Sequence, residues 1–151
     1  MGRFSLMTLV CMLAGSSAFA GDVVPANVVF NDGAIGVSLT AQAGDPAAGR
    51  KVFMNRKQGN CLACHANEDM SDQSFHGEVG PALDGVADRW EAAELRGIVV
   101  NSKMMFEGTI MPAFYKDDGF ERNLKKFQGK SILNAQQVED VVAYLLTLKE
   151  E

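Results

Sequence analysis

Cysteine and histidine are scarce in this 151-residue sequence, which has 3 cysteines and 2 histidines. A structural zinc site usually takes four Cys or His ligands. Outside an apolar N-terminal run that contains Cys11, the sequence offers only Cys61, Cys64, His65 and His76, so a zinc site would need all four. A disulfide between Cys61 and Cys64 and a thiol redox pair are two further interpretations that remain open at this point.

Long apolar runs and positive charge are also lacking. Beyond residue 20, no run approaches the ~20 apolar residues that a membrane-spanning helix needs, so we expect no membrane span. The formal net charge of −5 argues against nucleic acid as a partner, because phosphates need a basic patch. No segment sustains the alternation of apolar and polar residues that is typical of strands, so the sequence predicts an all-α protein.

Residues 1–20 have the layout of a secretory signal peptide. Arg3 supplies the positive end, residues 4–14 form the apolar run, and residues 18–20 are an Ala-Phe-Ala cleavage site. Cys11 follows a valine, whereas a lipidation site would have a small residue there, so we assign it to the leader. We therefore expect an exported, periplasmic protein.

Residues 21–44 contain several glycines but no helical periodicity. The segment is nevertheless too apolar for a simple linker. We expect an extended arm that packs against this domain or against a partner, and we interpret it as a partner-binding arm. Residues 45–151 then form one domain.

The first predicted helix begins at Asp45-Pro46. Aspartate caps the free amides of a helix start, and proline suits the first helical position. Gly49, Val52 and Phe53 share one face. Glycine costs ~1 kcal/mol relative to alanine inside a helix, so we expect that Gly49 lets another helix cross closely.

The strongest helical pattern covers residues 134–148, where apolar residues recur at helical spacing. Asn134 and Gln137 form a capping pair at its start. We expect this helix to cross the first one near Gly49, with Phe53 and Tyr144 in the contact. A third helix is predicted over residues 91–100.

The chemistry-bearing motif is Cys61-Leu-Ala-Cys64-His65. A Cys-x-x-Cys-His run is the attachment signature of c-type haem: the two thiols bind the porphyrin covalently and the adjacent imidazole reaches the iron. A methionine in the second axial position raises the reduction potential. Met111 is the best candidate, because Pro112 stiffens the chain just beyond it.

Other candidates for the second ligand are weaker. Met54 lies on a predicted helix, and Met70 follows His65 too soon for the loop to close over the opposite face of the haem. Met104 and Met105 are plausible. His76 would make a bis-His haem of lower potential, but we interpret it as a loop residue.

Four further features have both a functional and an ordinary interpretation. The carbonyl of Pro81 could accept the second ring proton of His65, since metal-bound histidines are usually oriented in this way; otherwise it belongs to an ordinary loop. Arg89 could pair with a haem propionate or be exposed. Trp90 could pack on the haem edge or in the core. The polar residues 116–130 form a solvated loop or a docking surface.

These features, in this order, resemble the class I cytochromes c over residues 45–149: Gly49, Phe53, Cys61-x-x-Cys64-His65, Gly80-Pro81, Met111-Pro112 and the closing helix. The resemblance implies the class I cytochrome c fold, one covalently attached haem c, His65 and Met111 as the iron ligands, and the Pro81 carbonyl on the His65 ring. Here that fold carries an extended N-terminal arm.

A narrower resemblance, to the SoxX cytochromes, includes the arm. It rests on residues 36–45, 60–65, 111–115 and 132–145. It implies a SoxA-like haem subunit as partner, in a complex that couples thiosulfate oxidatively to a cysteine of the SoxYZ carrier, an L-cysteine S-thiosulfotransferase. The bond-forming site is expected in SoxA, with no catalytic residue in this chain, which accepts electrons and passes them to an external cytochrome.

Two other functions compete with this one. The chain could be a free-standing periplasmic electron shuttle without a dedicated partner. It could also be a haem enzyme or gas binder, which would require that Met111 does not bind the iron.

Overall fold

Helices and loops make up the structure, a computed structural model that describes residues 21–150. The expected signal peptide, residues 1–20, lies outside the described residues. Within residues 21–150 the α-helices are α1 (Pro46–Met54), α2 (Val86–Arg89), α3 (Ala92–Asn101) and α4 (Ala135–Leu145). Short 3-10 turns lie at Pro25–Asn27, Cys61–Ala63, Glu68–Met70, Ser102–Met104 and Lys125–Phe127. The described residues contain no β-strand, only an isolated bridge between Asn31 and Ala34, and the all-α class is confirmed.

Helix α1 begins as its sequence predicts. The Asp45 carboxylate accepts a hydrogen bond from the Ala47 amide at 2.8 Å, and Pro46 occupies the first helical position. Gly49, Val52 and Phe53 form the buried face. The cap satisfies an amide that has no partner inside the helix, so the start of α1 is determined by neighbouring residues.

Helix α4 begins with a reciprocal cap. The Asn134 side chain accepts from the Gln137 amide at 2.8 Å, and the Gln137 side chain accepts from the Asn134 amide at 3.0 Å. The helix ends at Leu145, three residues before the expected end. Its last turn tightens into i→i+3 hydrogen bonds, from Thr147 to Tyr144 and from Leu148 to Leu145, a common way of satisfying the last carbonyls.

The packing of α1 on α4 is the most extensive helix contact in the described structure. Gly49 lies against the backbone of Asp140 so closely that a Cβ atom at this position would collide with its carbonyl group. One turn further on, the rings of Phe53 and Tyr144 meet edge to face at 5.5 Å between centroids. The predicted crossing at Gly49 is therefore confirmed.

Helix α3 also packs against α4. Glu91 and Glu94 form a capping box at its start, and Leu95, Val99 and Val100 are buried. The observed bounds agree with the predicted helix to within one residue. This packing places the carboxyl end of α3 and the loop after it, which carries Met111, on the same core as α1 and α4.

The arm, residues 21–44, lies on this domain. Ile35 and Leu39 are buried in the core, and the amide of Ile35 donates to the carbonyl of Ala93 at 2.9 Å. The amide of Leu39 donates to the Glu139 carboxylate at 2.8 Å. The arm thus packs against α3 and α4.

A buried ion pair holds the arm in place. Nε and Nη2 of Arg96 donate to the two carboxylate oxygens of Glu139 at 2.7 and 2.9 Å, while Nη1 donates to the carbonyl of Ile35 at 2.8 Å. A buried pair needs further hydrogen bonds to offset its desolvation, and the backbone of the arm supplies them.

None of the helices in the described part of the chain has the length and apolar composition that crossing a membrane requires.

Candidate haem site

The Cys-x-x-Cys-His segment forms a tight turn. Asn60 adopts the left-handed conformation, with φ 50° and ψ 36°, and turns the chain into the 3-10 segment that begins at Cys61. The carbonyl of Cys61 accepts from the amides of both Cys64 and His65 at 3.0 Å. The two cysteines are unpaired, so the turn presents two thiols and an imidazole from five consecutive residues.

The alternative chemistries of this motif find no support in the geometry. Burial raises the pKa of the Cys61 thiol to about 12, whereas a reactive redox thiol needs a lowered pKa. Among residues 21–150, no three His, Cys, Asp or Glu side chains are gathered to hold a metal ion, so the four potential zinc ligands are not brought together. Covalent attachment of haem remains the chemistry that the motif fits.

His65 is oriented by the turn that contains Pro81. Its Nδ1 lies 2.8 Å from the carbonyl oxygen of Pro81, so Nδ1–H donates and the Nε2 lone pair is left for a metal. Gly80 lies against the face of the ring, where a Cβ atom would sit 2.7 Å from Nδ1 and 2.9 Å from Nε2. The amide of Gly80 also donates to the carbonyl of Cys64 at 2.7 Å, which fastens this turn to the motif.

The side chain of Arg89 contacts the segment that follows Pro81. Its guanidinium group donates to the carbonyl oxygens of Asp84 at 2.7 Å and of Ala82 at 3.1 Å, which lie three residues and one residue after Pro81. The carboxylate of Glu150 is 3.9 Å away. These contacts with loop carbonyls were not predicted from the sequence, where only the proximity of Arg89 to Pro81 along the chain could have suggested them.

Met111 is half-buried on the loop that follows α3. Its carbonyl oxygen accepts from the hydroxyl of Ser102 at 3.1 Å and from the ammonium of Lys103. Its amide donates to the Thr109 hydroxyl at 3.3 Å. Sequence analysis did not identify these three supporting residues, because nothing in their local pattern shows that the loop folds back onto the end of α3.

Four of the five competing ligand candidates are placed differently, whereas the fifth, Met105, is half-buried like Met111. His76 accepts from the Asn67 amide at 3.2 Å through Nδ1 and donates to the carbonyl of Met70 at 3.0 Å through Nε2. Both ring nitrogens are therefore engaged. Met70 is buried in the core, Met54 packs against the core, and Met104 is exposed.

Trp90 and the charged segment lie outside this set of contacts. The ring of Trp90 meets that of Phe106 edge to face at 5.8 Å between centroids, and it packs against the core. Residues 116–130 are mostly exposed and contain two cation–π pairs, Lys116 with Phe120 and Lys126 with Phe127.

The residues present fit a covalently bound haem. Two unpaired thiols lie one turn apart, the imidazole beside them keeps one nitrogen free, and a half-buried thioether lies on a separate, supported loop. Soft sulfur and imidazole donors are the axial ligands of c-type haem iron. On this helical fold, the donor set defines the class as a monohaem c-type cytochrome.

Comparison with known proteins agrees with the assignment to the c-type cytochromes. The family model described as Cytochrome c matches residues 46–149. A solved structure, the crystal structure of SoxXA from P. pantotrophus, matches at 51% sequence identity and a TM-score of 0.81, covering 85% of this chain and 99% of that one. The chain therefore belongs to the cytochrome c family and, within it, to the SoxX cytochromes, which are haem electron-transfer subunits that carry one covalently bound haem c with iron.

A second solved structure, the c-type cytochrome SorU from Sinorhizobium meliloti, matches at 27% identity and a TM-score of 0.44, covering 69% of this chain and 90% of that one. A comparison with curated proteins found no match.

Proposed function

We propose that this chain is the electron-accepting subunit of a SoxAX complex that joins thiosulfate oxidatively to a cysteine of the SoxYZ carrier. The observation that carries the proposal is the 51% identity to a SoxXA structure over 85% of the chain, a match too long to be confined to the cytochrome domain. The partner is a SoxA-like haem subunit, in a heterodimer or a larger assembly.

Joining thiosulfate to a thiol forms one S–S bond and releases two electrons. A single haem held by this chain would accept one electron at a time, so this subunit would receive both electrons only if it were reoxidised between the two transfers. We assign that step to an external cytochrome. The iron supplies one-electron chemistry, and this chain's residues hold it and set its potential.

His65 and Met111 are the proposed axial ligands. The support for His65 is the hydrogen bond of Nδ1 to Pro81, which leaves Nε2 free. The support for Met111 is its half-buried thioether on a loop held by side-chain hydrogen bonds. A thioether ligand favours Fe(II), which suits an electron acceptor.

The bond-forming site is proposed to lie in SoxA. Beyond residue 20, the only cysteines are Cys61 and Cys64, and both are used in haem attachment. No thiol is then left in this part of the chain to act as the nucleophile. The signal-peptide pattern of residues 1–20 supports a periplasmic location for the complex.

The test of the function is to purify the protein from native periplasm and ask whether thiosulfate reduces its haem. We expect a haem-containing partner to co-purify, and reduction to require both that partner and SoxYZ. A haem that is reduced equally well by general electron donors, with no partner in the preparation, would instead identify a free-standing shuttle.

The test of the distal ligand is Met111→Ala. We expect the variant to keep its covalent haem, to lose the far-red sulfur-to-iron band of the ferric protein, to have a lower reduction potential and to bind small ligands at the iron. Spectroscopy and a redox titration measure these changes. Met104→Ala, on an exposed methionine, is the control. A wild-type protein without the sulfur-to-iron band would favour the haem enzyme or gas binder.

A further inference from the structure

Two side chains converge on a single backbone atom, the carbonyl oxygen of Met111. The Ser102 hydroxyl donates to it at 3.1 Å, and the Lys103 ammonium donates to the same oxygen. Ser102 is 0% exposed, and Met111 is the partner of its hydroxyl in the described structure. A carbonyl oxygen has two lone pairs and can accept from both donors at once.

The fold explains why these two residues reach the loop. Ser102 is the C-terminal cap residue of α3 and opens the 3-10 turn Ser102–Met104. Its own carbonyl accepts from the amides of Met105 at 3.1 Å and Phe106 at 2.9 Å. Ser102 therefore holds the start of the loop through its backbone and the far end of the loop through its side chain.

The other side of Met111 is also held. Its amide donates to the Thr109 hydroxyl. Two residues beyond Ala113, which is buried, the amide of Tyr115 donates to the carbonyl of Val100 at 3.1 Å. The loop therefore returns to α3 after Met111, while Thr109 holds the amide of Met111 from within the loop. The backbone at Met111 can move away only by breaking these hydrogen bonds.

This geometry matters for a thioether ligand. Methionine has three rotatable side-chain bonds, so its sulfur is presented in one place only if the backbone that carries it stays fixed. A hydrogen bond favours the bonded arrangement by a several-fold factor in net terms, because folding exchanges it for a bond to water. Losing such a bond would let the sulfur leave the iron more often.

We propose that Ser102 and Lys103 are positioning residues that clamp the Met111 carbonyl and thereby keep the thioether on the iron. The inference rests on the proposed role of Met111 as the distal ligand. It concerns only residues of this chain, and its readout is the competition between Met111 and an added ligand.

The experiment uses the haem-loaded protein in its ferric form and imidazole as the competing ligand. Because imidazole must displace the thioether, its apparent affinity reports how firmly Met111 is held. We expect Ser102→Ala and Lys103→Met each to bind imidazole about five- to tenfold more tightly than the wild type, which corresponds to one hydrogen bond. The double variant should exceed the product of the two single effects, since each donor partly covers for the other.

Conservative and charge-matched variants complete the design. Ser102→Thr and Lys103→Arg keep a donor at each position, and both should restore near wild-type imidazole affinity. Lys51→Met, on an exposed lysine of α1, changes the net charge as Lys103→Met does and should have no effect. If Ser102→Ala fails to retain haem, the Lys103 series decides alone, because that side chain is exposed.

Three outcomes separate the hypotheses. If the single and double variants bind imidazole like the wild type while Met111→Ala binds it tightly, the clamp is overturned and the ligand assignment stands. If Met111→Ala itself behaves like the wild type, the distal ligand proposal has failed. If Lys51→Met reproduces the effect of Lys103→Met, net charge and not the hydrogen bond is responsible, and Lys103 is no part of a clamp.

Discussion

The hydroxyl of Tyr144 links α4 to the segment just after the haem motif. Asn67 donates to it at 2.8 Å, and it donates to the Asp69 carboxylate at 2.8 Å. Burial, and then the hydrogen bond to Asp69, raise the pKa of Tyr144 well above its ordinary value. Asn67 is buried, so its amide depends on this hydroxyl.

Replacing Tyr144 by phenylalanine should therefore destabilise the protein. The ring contact with Phe53 is kept, whereas the buried Asn67 amide loses its acceptor. An unsatisfied buried group costs about 1–3 kcal/mol, and denaturant unfolding of the haem-loaded variant at neutral pH measures the loss. A loss below about 0.5 kcal/mol would mean that water replaces the hydroxyl.

The same pair of proteins tests the pKa shift. Unfolded tyrosine ionises near pH 10, whereas folded Tyr144 holds its proton to higher pH because its pKa is raised. The contribution of this residue is therefore fully present below about pH 10 and is lost as the pH rises through the folded pKa. The stability difference between the wild type and Tyr144→Phe should shrink above about pH 10.

The two interpretations of Arg89 predict different reduction potentials for the variant Arg89→Lys. If it supports the Pro81 turn, Arg89→Lys should weaken the hydrogen bond of His65 to Pro81, because lysine lacks the guanidinium fork. His65 then becomes a less basic ligand, Fe(III) is less favoured, and the reduction potential rises.

A redox titration of Arg89→Lys measures this shift, with Arg122→Lys, on an exposed arginine, as the control. Pairing with a propionate predicts a different result, since lysine keeps the positive charge and the potential would stay near its wild-type value. Any rise confined to Arg89→Lys supports the contacts with the carbonyls of Ala82 and Asp84.

At the scale of elements, helix starts follow from short-range chemistry. The caps of α1 and α4 join residues two or three positions apart, so they are legible in the sequence. The sequence predicts an end of α4 three residues beyond the observed one, because apolar periodicity continues through Leu148 while the backbone hydrogen bonds tighten after Leu145. The spacing of apolar side chains does not reveal this change in backbone hydrogen bonding.

The crossing of α1 and α4 gives the prediction at this scale. Gly49→Ala adds a Cβ atom against the Asp140 backbone, which cannot rotate away as a side chain can. Overpacking costs about 1–3 kcal/mol or more, which exceeds the ~1 kcal/mol gained from helix propensity. We expect a net loss of stability and a lower melting temperature for the haem-loaded protein.

Gly36→Ala is the matched control, because no atom lies within 4 Å of the Cβ that it would add. Its melting temperature should remain close to that of the wild type. Equal behaviour of the two variants would mean that the helices separate at little cost.

At the scale of the whole molecule, the arm packs as part of the folded domain. Its buried residues Ile35 and Leu39, and the bonds it shares with Arg96 and Glu139, make residues 21–44 part of the packing. We expect Leu39→Ala to cost about 2–5 kcal/mol, as is usual for a buried leucine. Denaturant unfolding measures it, and Val37→Ala, at a side chain 73% exposed, should be near neutral.

The outer face of the arm can be tested separately for the proposed partner. Val29→Asp alters a side chain that is 78% exposed, so it should leave the stability of the isolated subunit unchanged. Weaker co-purification of the haem partner would then support a partner-binding arm. If Val29→Asp retains the partner fully, the arm serves only the packing of this domain and does not bind the partner through this face.

The sequence by itself determined the all-α class, the caps of α1 and α4, the Cys61-x-x-Cys64-His65 motif that fits a covalently bound haem, and the helix crossing at Gly49. Most of these features depend on residues within a turn or two of one another. The crossing depends on Gly49, whose low helix propensity is explained by close packing against another helix. Only the tertiary structure decided that Arg89 contacts the carbonyls of Ala82 and Asp84, that Arg96 and Glu139 hold the arm, and that Ser102 and Lys103 reach Met111. The physical reason is that such contacts exist only after loops close, and the route a loop takes depends on the packing of the whole core.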